Sequence, residues 1–281
     1  MIVAVGSPLG VAAELTGAKK PRVVSWIASP AKGSGRLFAY LHADEGSWLV
    51  KYTESDDGAL STEHAALAEV EALLRETPLA GTTPVGARLA RGLLVQPLIV
   101  GTSFRDVIHR GTASSRARAR LTAAAESISG WLREFHRISA SASGVGRTHG
   151  DFKPSNVLMG SRGVAGVVDW ELSAAAGIQR HDLWHFLLYF GLSCWGSDRD
   201  AGFERTFVAD TWVRAAVVRC LQTYGRDGGT NNREEFAAYV EARLALRAAL
   251  GLSNPSYFLT RIQRRLVELR DSDFLPRQHR G

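Results

Sequence analysis

The most informative stretch of the sequence is HGDFKPSNVL at residues 149–158, which VVDWE follows at residues 167–171. Apolar pairs lie on either side of the short turn at residues 160–163, and this pattern predicts a loop, a strand, a turn and a second strand. Because strands hold their ends rigidly, the polar side chains around this hairpin are expected to converge. These side chains are Asp151, Lys153, Asn156 and Asp169.

The types of these side chains fit the transfer of a phosphoryl group from a nucleotide. Such a transfer uses oxygen ligands for Mg²⁺, because this hard ion bridges the phosphates and neutralises their charge. It also uses a carboxylate within reach of the attacking hydroxyl. Asp151, Asn156 and Asp169 offer both.

The chain before this hairpin predicts a small antiparallel sheet with one helix. β-Branched and aromatic residues alternate with turn residues between Arg22 and Tyr52, which predicts three strands. An apolar stripe at helical spacing follows over Thr62 to Arg75. Two further strands are predicted over Val85 to Leu89 and within Leu93 to Val100. The second is expected to end near Gln96 and Pro97, because a proline indicates a strand end or edge.

The rest of the chain is dominated by helical periods. Apolar residues recur at three to four positions over residues 121–135, 207–224, 234–250 and 257–269. We therefore predict an α+β protein with a small antiparallel β lobe that contains one helix and a larger α-helical lobe. The predicted division gives residues 1–98 a nucleotide-binding role and residues 99–281 a catalytic and substrate-binding role.

Composition narrows the class of protein and its surroundings. The 34 Lys+Arg and 28 Asp+Glu residues give 34 − 28 = +6, but the basic residues are scattered and form no stripe with aromatics, so we expect no nucleic-acid partner. The apolar run from Trp184 to Trp195 is too short for a bilayer span, and residues 1–17 do not have the pattern of a secretory signal. Cys194 and Cys220 alone form no disulfide framework, which is typical of a cytoplasmic protein.

The motif His-Gly-Asp-x4-Asn, with Asp-x-Glu after it, resembles the protein-kinase-like superfamily, and within it the aminoglycoside phosphotransferase and choline kinase branch. The resemblance covers most of the chain, although the last hundred residues match only in being helical. It implies a two-lobe kinase-like fold and ATP-dependent phosphorylation of a small-molecule hydroxyl. It further implies that Asp151 is the catalytic aspartate, that Asn156 and Asp169 bind Mg²⁺, and that His149 is a scaffold histidine.

The same resemblance implies a lysine and glutamate pair for the nucleotide. Lys51 lies at the strand position where the superfamily keeps a lysine against the α- and β-phosphates. Its partner is expected on the following helix, where Glu63 shares the apolar face and Glu69 and Glu71 project elsewhere. We favour Glu63 over Glu69 as this partner.

Two further segments are candidates for nucleotide contact. The turn with Gly33, Ser34 and Gly35 could cover phosphates with backbone N–H groups, although glycine turns in hairpins are also common.

At the hinge, the resemblance implies that Gln96 to Ile99 present backbone groups to adenine. Pro97 has no N–H and can only accept through its carbonyl, which leaves the N–H of Ile99 as the donor.

Lys153 leaves two alternative functions open. A lysine two residues after the catalytic aspartate resembles Ser/Thr protein kinases, where it contacts the transferred phosphate, so Lys153 is assigned a catalytic role. Against a protein kinase, Asp169-Trp170-Glu171 replaces Asp-Phe-Gly, and no Ala-Pro-Glu segment follows. A protein Ser/Thr kinase and a non-catalytic pseudokinase remain the alternatives.

Several other polar residues are expected to support the site. Asp182 resembles the buried aspartate that braces the catalytic loop, and His136 is expected to have a packing role. His181 and His185 fit helix-surface or hydrogen-bonded core positions better than a zinc site, because no glutamate follows His181. Glu171 could assist a metal-bound water or cap a turn.

The sequence leaves the acceptor open. From Leu172 to Gly281 there are 15 Arg and 12 Asp+Glu residues, a balance of 15 − 12 = +3, which disfavours a polycationic acceptor. An acidic cluster at Asp198, Asp200 and Glu204 could still form a cation-binding pocket. A neutral sugar, a nucleoside, another natural product and an anionic metabolite all stay possible, as do ATP or GTP as donor and any oligomeric state.

Overall fold

The chain forms two compact units in the computed structural model. The first comprises residues 1–101 and 165–174, and the second comprises residues 102–164 and 175–281. The predicted division after residue 98 did not place the short segment 165–174, which contains Asp169, with the first unit. The structure describes residues 7–28, 36–53, 58–90, 92–140, 145–196, 198–225, 232–251 and 256–275.

The first unit is built on a five-stranded antiparallel sheet of order β1-β2-β3-β5-β4. Its core contains Leu41 and Val50 from the sheet and Leu9 from the first helix. The elements are α1 (Pro8–Thr16), β1 (Arg22–Ala28), β2 (Arg36–Ala43), β3 (Gly46–Thr53), α2 (Ala59–Leu74), β4 (Arg88–Ala90) and β5 (Leu93–Pro97).

The sheet register places Lys51 in the middle of the sheet. Lys51 lies on β3 opposite Phe38 of β2 and Leu94 of β5. Helix α2 buries Glu63 together with Leu67 and further apolar residues at helical spacing. The apolar stripe of the sequence therefore carries one acidic residue into the interior.

Both strands predicted after α2 form, the first with different bounds, and one helix of this unit was not predicted. The strand expected over 85–89 is confined to Arg88–Ala90, because the chain turns at Gly86 with φ 73. The next strand ends at Pro97, as the proline predicted. Helix α1 was not predicted, because its short apolar sequence has no clear period; the Ser7 side chain caps it by accepting a hydrogen bond from the Gly10 N–H at 3.1 Å.

The second unit is mainly helical and carries two small sheets, of order β6-β8-β9 and β10-β7. Strand β9 starts in the second unit, and its last three residues, 165–167, belong to the first unit. The first residue of β10, Ala174, also belongs to the first unit, and the rest of β10 belongs to the second. The elements are β6 (Thr102–Ser103), α3 (Phe104–Gly111), α4 (Ser115–Ser139), β7 (Val145–Thr148), a 3₁₀ turn (Pro154–Asn156), β8 (Val157–Gly160), β9 (Gly163–Val167), β10 (Ala174–Ile178), α5 (Arg180–Trp195), α6 (Arg199–Phe207), α7 (Trp212–Thr223), α8 (Asn232–Ala249) and α9 (Ser256–Glu268).

The hairpin after the His-Gly-Asp motif forms as β8 and β9. The helix expected over 207–224 forms as α7 and starts later than predicted, at Trp212, whereas α6 was not predicted. Helix α6 ends at Phe207, and α7 starts at Trp212 after Thr211, whose side chain accepts from the Arg214 N–H at 3.2 Å. An N-cap of this kind starts a new helix with its own direction. Strands β7 and β10 were not predicted; β10 has the sequence AAAGI, which gives little strand signal.

Aromatic side chains fill the core of the second unit. Phe207 and Phe236 pack with ring centroids 4.8 Å apart, and Trp184 of α5 lies edge-on to Phe236 at 5.4 Å. Trp184 is fully buried, whereas Tyr189 of the same helix is only half-buried. In the part of the chain that the structure describes, every helix is too short or too polar to cross a bilayer.

Candidate active site

The first unit contains a buried cluster of Lys51, Glu63 and Asp169. The Nζ atom of Lys51 donates to both carboxylate oxygens of Glu63, at 2.7 and 2.8 Å, and to Oδ1 of Asp169 at 3.0 Å. Glu63 is thus the glutamate that pairs with Lys51, and Glu69 lies exposed on the same helix. The side chain of Asp169 keeps 34% of its surface exposed, so the cluster opens to solvent on the aspartate side.

The charges of this cluster do not cancel. Burial disfavours the charge on Lys51, but Glu63 and Asp169 outweigh this effect and raise the lysine pKa. Burial raises the pKa of Glu63, Lys51 opposes this rise, and the negative charges of Asp169 and Glu171 add to it. One ammonium against two carboxylates leaves one negative charge, which a bound cation would balance.

Asp169 is held in an unusual backbone conformation by its neighbours. Its φ of 72° is left-handed, a region that costs a non-glycine residue energy and is frequent at functional sites. The fully buried Trp170 fixes this conformation by donating its indole N–H to the Val167 carbonyl at 3.0 Å. The Val167 N–H in turn donates to the Thr82 carbonyl at 2.8 Å. Trp170 therefore anchors the segment that presents the Asp169 carboxylate.

The hinge residues lie at the end of β5. Gln96 is buried, and Pro97 pairs with Trp48 of β3. Ile99 packs against Gly166, where an added Cβ would lie 2.6 Å from the isoleucine side chain, so only glycine fits there. The predicted contact of this hinge with adenine stays a prediction. The predicted phosphate-covering turn of Gly33, Ser34 and Gly35 lies outside the described residues.

The second unit holds Asp151 in a dense network. Its Oδ2 accepts hydrogen bonds from Lys153 Nζ and, at 3.2 Å, from Asn156 Nδ2. Its Oδ1 lies 3.0 Å from Nε2 of His185 and 3.6 Å from the guanidinium of Arg243. These contacts hold the carboxylate in one orientation.

The loop that carries Asp151 is braced from beneath by Asp182 of α5. The buried Asp182 carboxylate accepts the backbone N–H of His149 at 2.7 Å and that of Gly150 at 2.9 Å. Nε2 of His136 lies 3.4 Å from the same carboxylate. Burial would raise the pKa of Asp182, but the contacts with His136 and with the backbone N–H of His149 lower it.

The network fixes protonation states around Asp151. Burial alone would raise the pKa of Asp151, but His185 and Lys153 lower it well below the usual range. Burial lowers the pKa of His185 to about 4, so its ring is neutral at neutral pH. Nε2 of His185 therefore carries the proton and donates to Asp151, while Nδ1 accepts from the Tyr239 hydroxyl at 2.8 Å.

Asn156 is oriented by the same loop. Its Nδ2 donates to the backbone carbonyl of Asp151 at 3.0 Å as well as to the carboxylate. The side-chain oxygen of Asn156 accepts from the Ser155 hydroxyl at 3.1 Å, which leaves this oxygen with capacity for a further partner. The amide oxygen is thus available as a ligand and the amide nitrogen is not.

Three residues of the network around Asp151 were not predicted as part of it: His185, Tyr239 and Arg243. Arg243 of α8 donates to the Gly150 carbonyl in addition to its proximity to Asp151. A signal for His185 was present, because it lies three residues after Asp182 on a helix and so shares the face that braces the loop. No such signal exists for residues of α8, which follow some 90 positions later.

The structure therefore brings the predicted site residues together in two groups. Asp151, Lys153 and Asn156 lie within one loop of the second unit. Lys51, Glu63 and Asp169 form the cluster of the first unit, as described above.

Comparison with known proteins identifies the family to which the chain belongs. A family model described as "phosphotransferase enzyme family" matches residues 9–239, which is most of the chain. A search among curated proteins found no match.

Solved structures with a similar fold include aminoglycoside phosphotransferases. The aminoglycoside phosphotransferase APH(2'')-IIa, in a ternary complex with streptomycin and ATP, is 13% identical with a TM-score of 0.59 over 95% of this chain and 99% of that one. ADP-bound APH(2'')-Ib is 11% identical with a TM-score of 0.57 over 96% and 99%. A putative aminoglycoside phosphotransferase from Ralstonia eutropha is 14% identical with a TM-score of 0.51 over 89% and 91%. These similarities confirm the predicted α+β kinase-like fold, and with the family match they show that the chain belongs to the phosphotransferase enzyme family.

Proposed function

We propose that the protein is an ATP-dependent phosphotransferase that moves the γ-phosphate of ATP to a hydroxyl group of a small molecule. The observation that carries this proposal is the fixed Asp151 carboxylate, which accepts hydrogen bonds from Lys153, His185 and Asn156 on a loop braced by Asp182. A carboxylate held in this way suits the orientation of an attacking hydroxyl.

In this proposal, Asp151 accepts a hydrogen bond from the acceptor hydroxyl and directs its oxygen towards the γ-phosphorus. A bond forms between that oxygen and phosphorus, the bond from phosphorus to the bridging oxygen breaks, and ADP leaves with the electron pair. The hydroxyl proton passes to the Asp151 carboxylate late in the transfer, once the forming bond to phosphorus has made it acidic. Because the pKa of Asp151 is held low, its main contribution is orientation, with proton acceptance secondary.

The cationic side chains contribute electrostatic stabilisation. Lys153, whose Nζ contacts Asp151, is assigned to the transferred phosphoryl group. Lys51 is assigned to the α- and β-phosphates, with Glu63 holding its ammonium group in place. Preorganised charges of this kind lower the barrier because they do not reorganise during the reaction.

The residues present fit a divalent cation. Asp169 is a partly exposed carboxylate in a cluster with one excess negative charge, and Asn156 has an oriented amide oxygen. Both are hard oxygen donors of the kind that Mg²⁺ prefers. We assign Asn156 and Asp169 as the Mg²⁺ ligands. Bound Mg²⁺ would neutralise the charge of the phosphates.

The proposal is tested by acceptor-dependent ADP release in the presence of ATP and Mg²⁺. The acceptor panel contains sugars, sugar phosphates, nucleosides, aminoglycosides and macrolides. We expect Asp151→Asn and Asp169→Ala to reduce turnover at least 100-fold, because each removes a charge that no neighbour replaces. Asp210→Asn is the matched control, since Asp210 is an exposed aspartate on the surface of the second unit.

Equal turnover of the native protein and the Asp151→Asn variant would overturn the proposal. Labelling of a protein mixture by radioactive ATP, without labelling of any small molecule, would favour the protein-kinase alternative. ATP binding without turnover of any acceptor would favour a pseudokinase.

A further inference from the structure

The second unit contains a cavity of about 610 Å³ beside the catalytic loop. This volume is in the usual range for the binding site of a small molecule. The lining of the cavity lies close to Asp151. Tyr189, which lines the cavity, packs on the ring of His185 with centroids 4.6 Å apart, and His185 contacts Asp151. The polar and aromatic residues of the lining include Arg105, His109, Lys153, Ser155, Tyr189 and Arg199.

The lining of the cavity contains three cationic side chains, Arg105, Arg199 and Lys153, of which Lys153 contacts the carboxylate of Asp151. Among the described residues, no aspartate or glutamate lines it. Arg105 is exposed, and the neighbouring Asp106 is turned towards Ser103, whose hydroxyl donates to its carboxylate at 2.7 Å. The guanidinium of Arg199 lies over the ring of Phe258 at 5.5 Å, a contact that leaves its charge in place.

The acidic side chains that could have bound a polycation already have partners within the protein. Asp200 forms an ion pair with Arg261, and Glu204 forms one with Arg265 at 2.5 Å. Asp198 caps helix α6 by accepting from a backbone N–H. The acidic cluster expected from the sequence is therefore neutralised by two arginines of α9.

We propose that this cavity is the acceptor site and that the acceptor is an anionic hydroxyl compound, whose carboxylate or phosphate group is bound by Arg105 and Arg199. This inference rests on the proposed phosphotransferase function and names the substrate class for it. Arginine binds such groups through paired N–H donors, and the hydroxyl of Ser193 in the lining is a further donor. The hydroxyl group of the same molecule then lies on the side of Lys153, the residue that contacts Asp151.

A binding experiment tests this proposal separately from catalysis. The full-length protein is saturated with Mg²⁺ and ADP, so that groups that bind the nucleotide are already occupied. Isothermal titration calorimetry then measures the affinity for three probes: glucose 6-phosphate, glucose and the polycation kanamycin. Arg105→Gln and Arg199→Gln remove charge from the cavity, and Arg120→Gln removes the same charge from an exposed position of α4 as a matched control.

We expect glucose 6-phosphate to bind at least tenfold more tightly than glucose and than kanamycin, because only the phosphate matches the charge of the cavity. Each of the two cavity variants should weaken this binding about tenfold or more, since each loses a charge-assisted hydrogen bond. The Arg120→Gln variant should retain the native affinity.

Three results would overturn the proposal: tighter binding of kanamycin, absence of a preference for the phosphorylated sugar, or unchanged affinity in both cavity variants. A weaker affinity for ADP in the Arg105→Gln variant, measured without a sugar, would assign the cavity to the nucleotide and also overturn it. None of these results depends on turnover. They therefore leave the phosphotransferase proposal to be decided by ADP release.

Discussion

Lowering the pH from 7.5 to 5 should destabilise the protein through His185. The buried ring has a pKa of about 4, against an ordinary value of 6.5. A histidine with a depressed pKa in the folded state contributes stability above the unfolded pKa, and this stability is lost as the pH falls towards 4. Proton binding to the unfolded chain alone gives a loss on the order of 2 kcal/mol at pH 5.

The assay is urea unfolding of the native protein and of His185→Asn, each at pH 7.5 and at pH 5. Asparagine keeps an N–H donor near Asp151 but does not titrate, so the variant should lose about 2 kcal/mol less than the native protein on acidification. The matched control is His181→Gln on the same helix. Burial also lowers the pKa of His181, but its ring is only half-buried, so its substitution should remove a smaller part of the pH dependence.

An unchanged pH dependence in His185→Asn would refute this reasoning. If the variant does not fold, an NMR titration of the histidine rings in the native protein decides the same question. A His185 ring that titrates near 6.5 would show that the environment of Asp151 differs from the one described here.

Three further predictions concern the supports of the site and the packing around it. Asp182→Ala should cost about 3 kcal/mol in urea unfolding, because the buried N–H of His149 and the partly buried N–H of Gly150 lose their acceptor. Gly191→Ala should lower the free energy of unfolding by about 2 kcal/mol, since the added Cβ would overlap a threonine of α6. Gly130→Ala is its control: the added Cβ makes an ordinary contact at 3.7 Å, so this substitution should raise the free energy of unfolding by up to about 1 kcal/mol. Glu63→Gln should reduce turnover at least tenfold in the ADP-release assay because the lysine of β3 loses its buried partner, while Glu69→Gln on the exposed face of the same helix should not.

Much of the fold could be predicted from the sequence because its periodic segments are long. The three strands between residues 22 and 53 and the helix α2 follow from alternation and from an apolar stripe. The start of α7 was placed too early, at Phe207, because apolar residues also precede the helix and only the capping Thr211 marks its start. Short elements such as α1 and β10 depend on tertiary contacts, and the local sequence of each gives no clear period that would predict it.

The candidate site was predictable where its residues are close in sequence. Asp151, Lys153 and Asn156 are within six positions, and a single turn and hairpin bring them together. Arg243 and Tyr239 come from a helix far along the chain, and nothing in their local pattern indicates contact with the loop. Long-range partners of this kind depend on how the helices pack against one another. The pattern of a single sequence does not show this packing.

The charges around Asp151 decide what this carboxylate can do. Lys153 and Arg243 place two positive charges near it, and the neutral ring of His185 donates to it as well. An acid stabilised to this degree in its ionised form is a weak base. In the reaction that we propose, Asp151 would therefore accept a hydrogen bond from the acceptor more readily than it would accept the proton. In the loose transition state of phosphoryl transfer the hydroxyl needs little deprotonation before attack. The network that weakens Asp151 as a base would therefore cost the proposed reaction little, and it would fix the direction of attack.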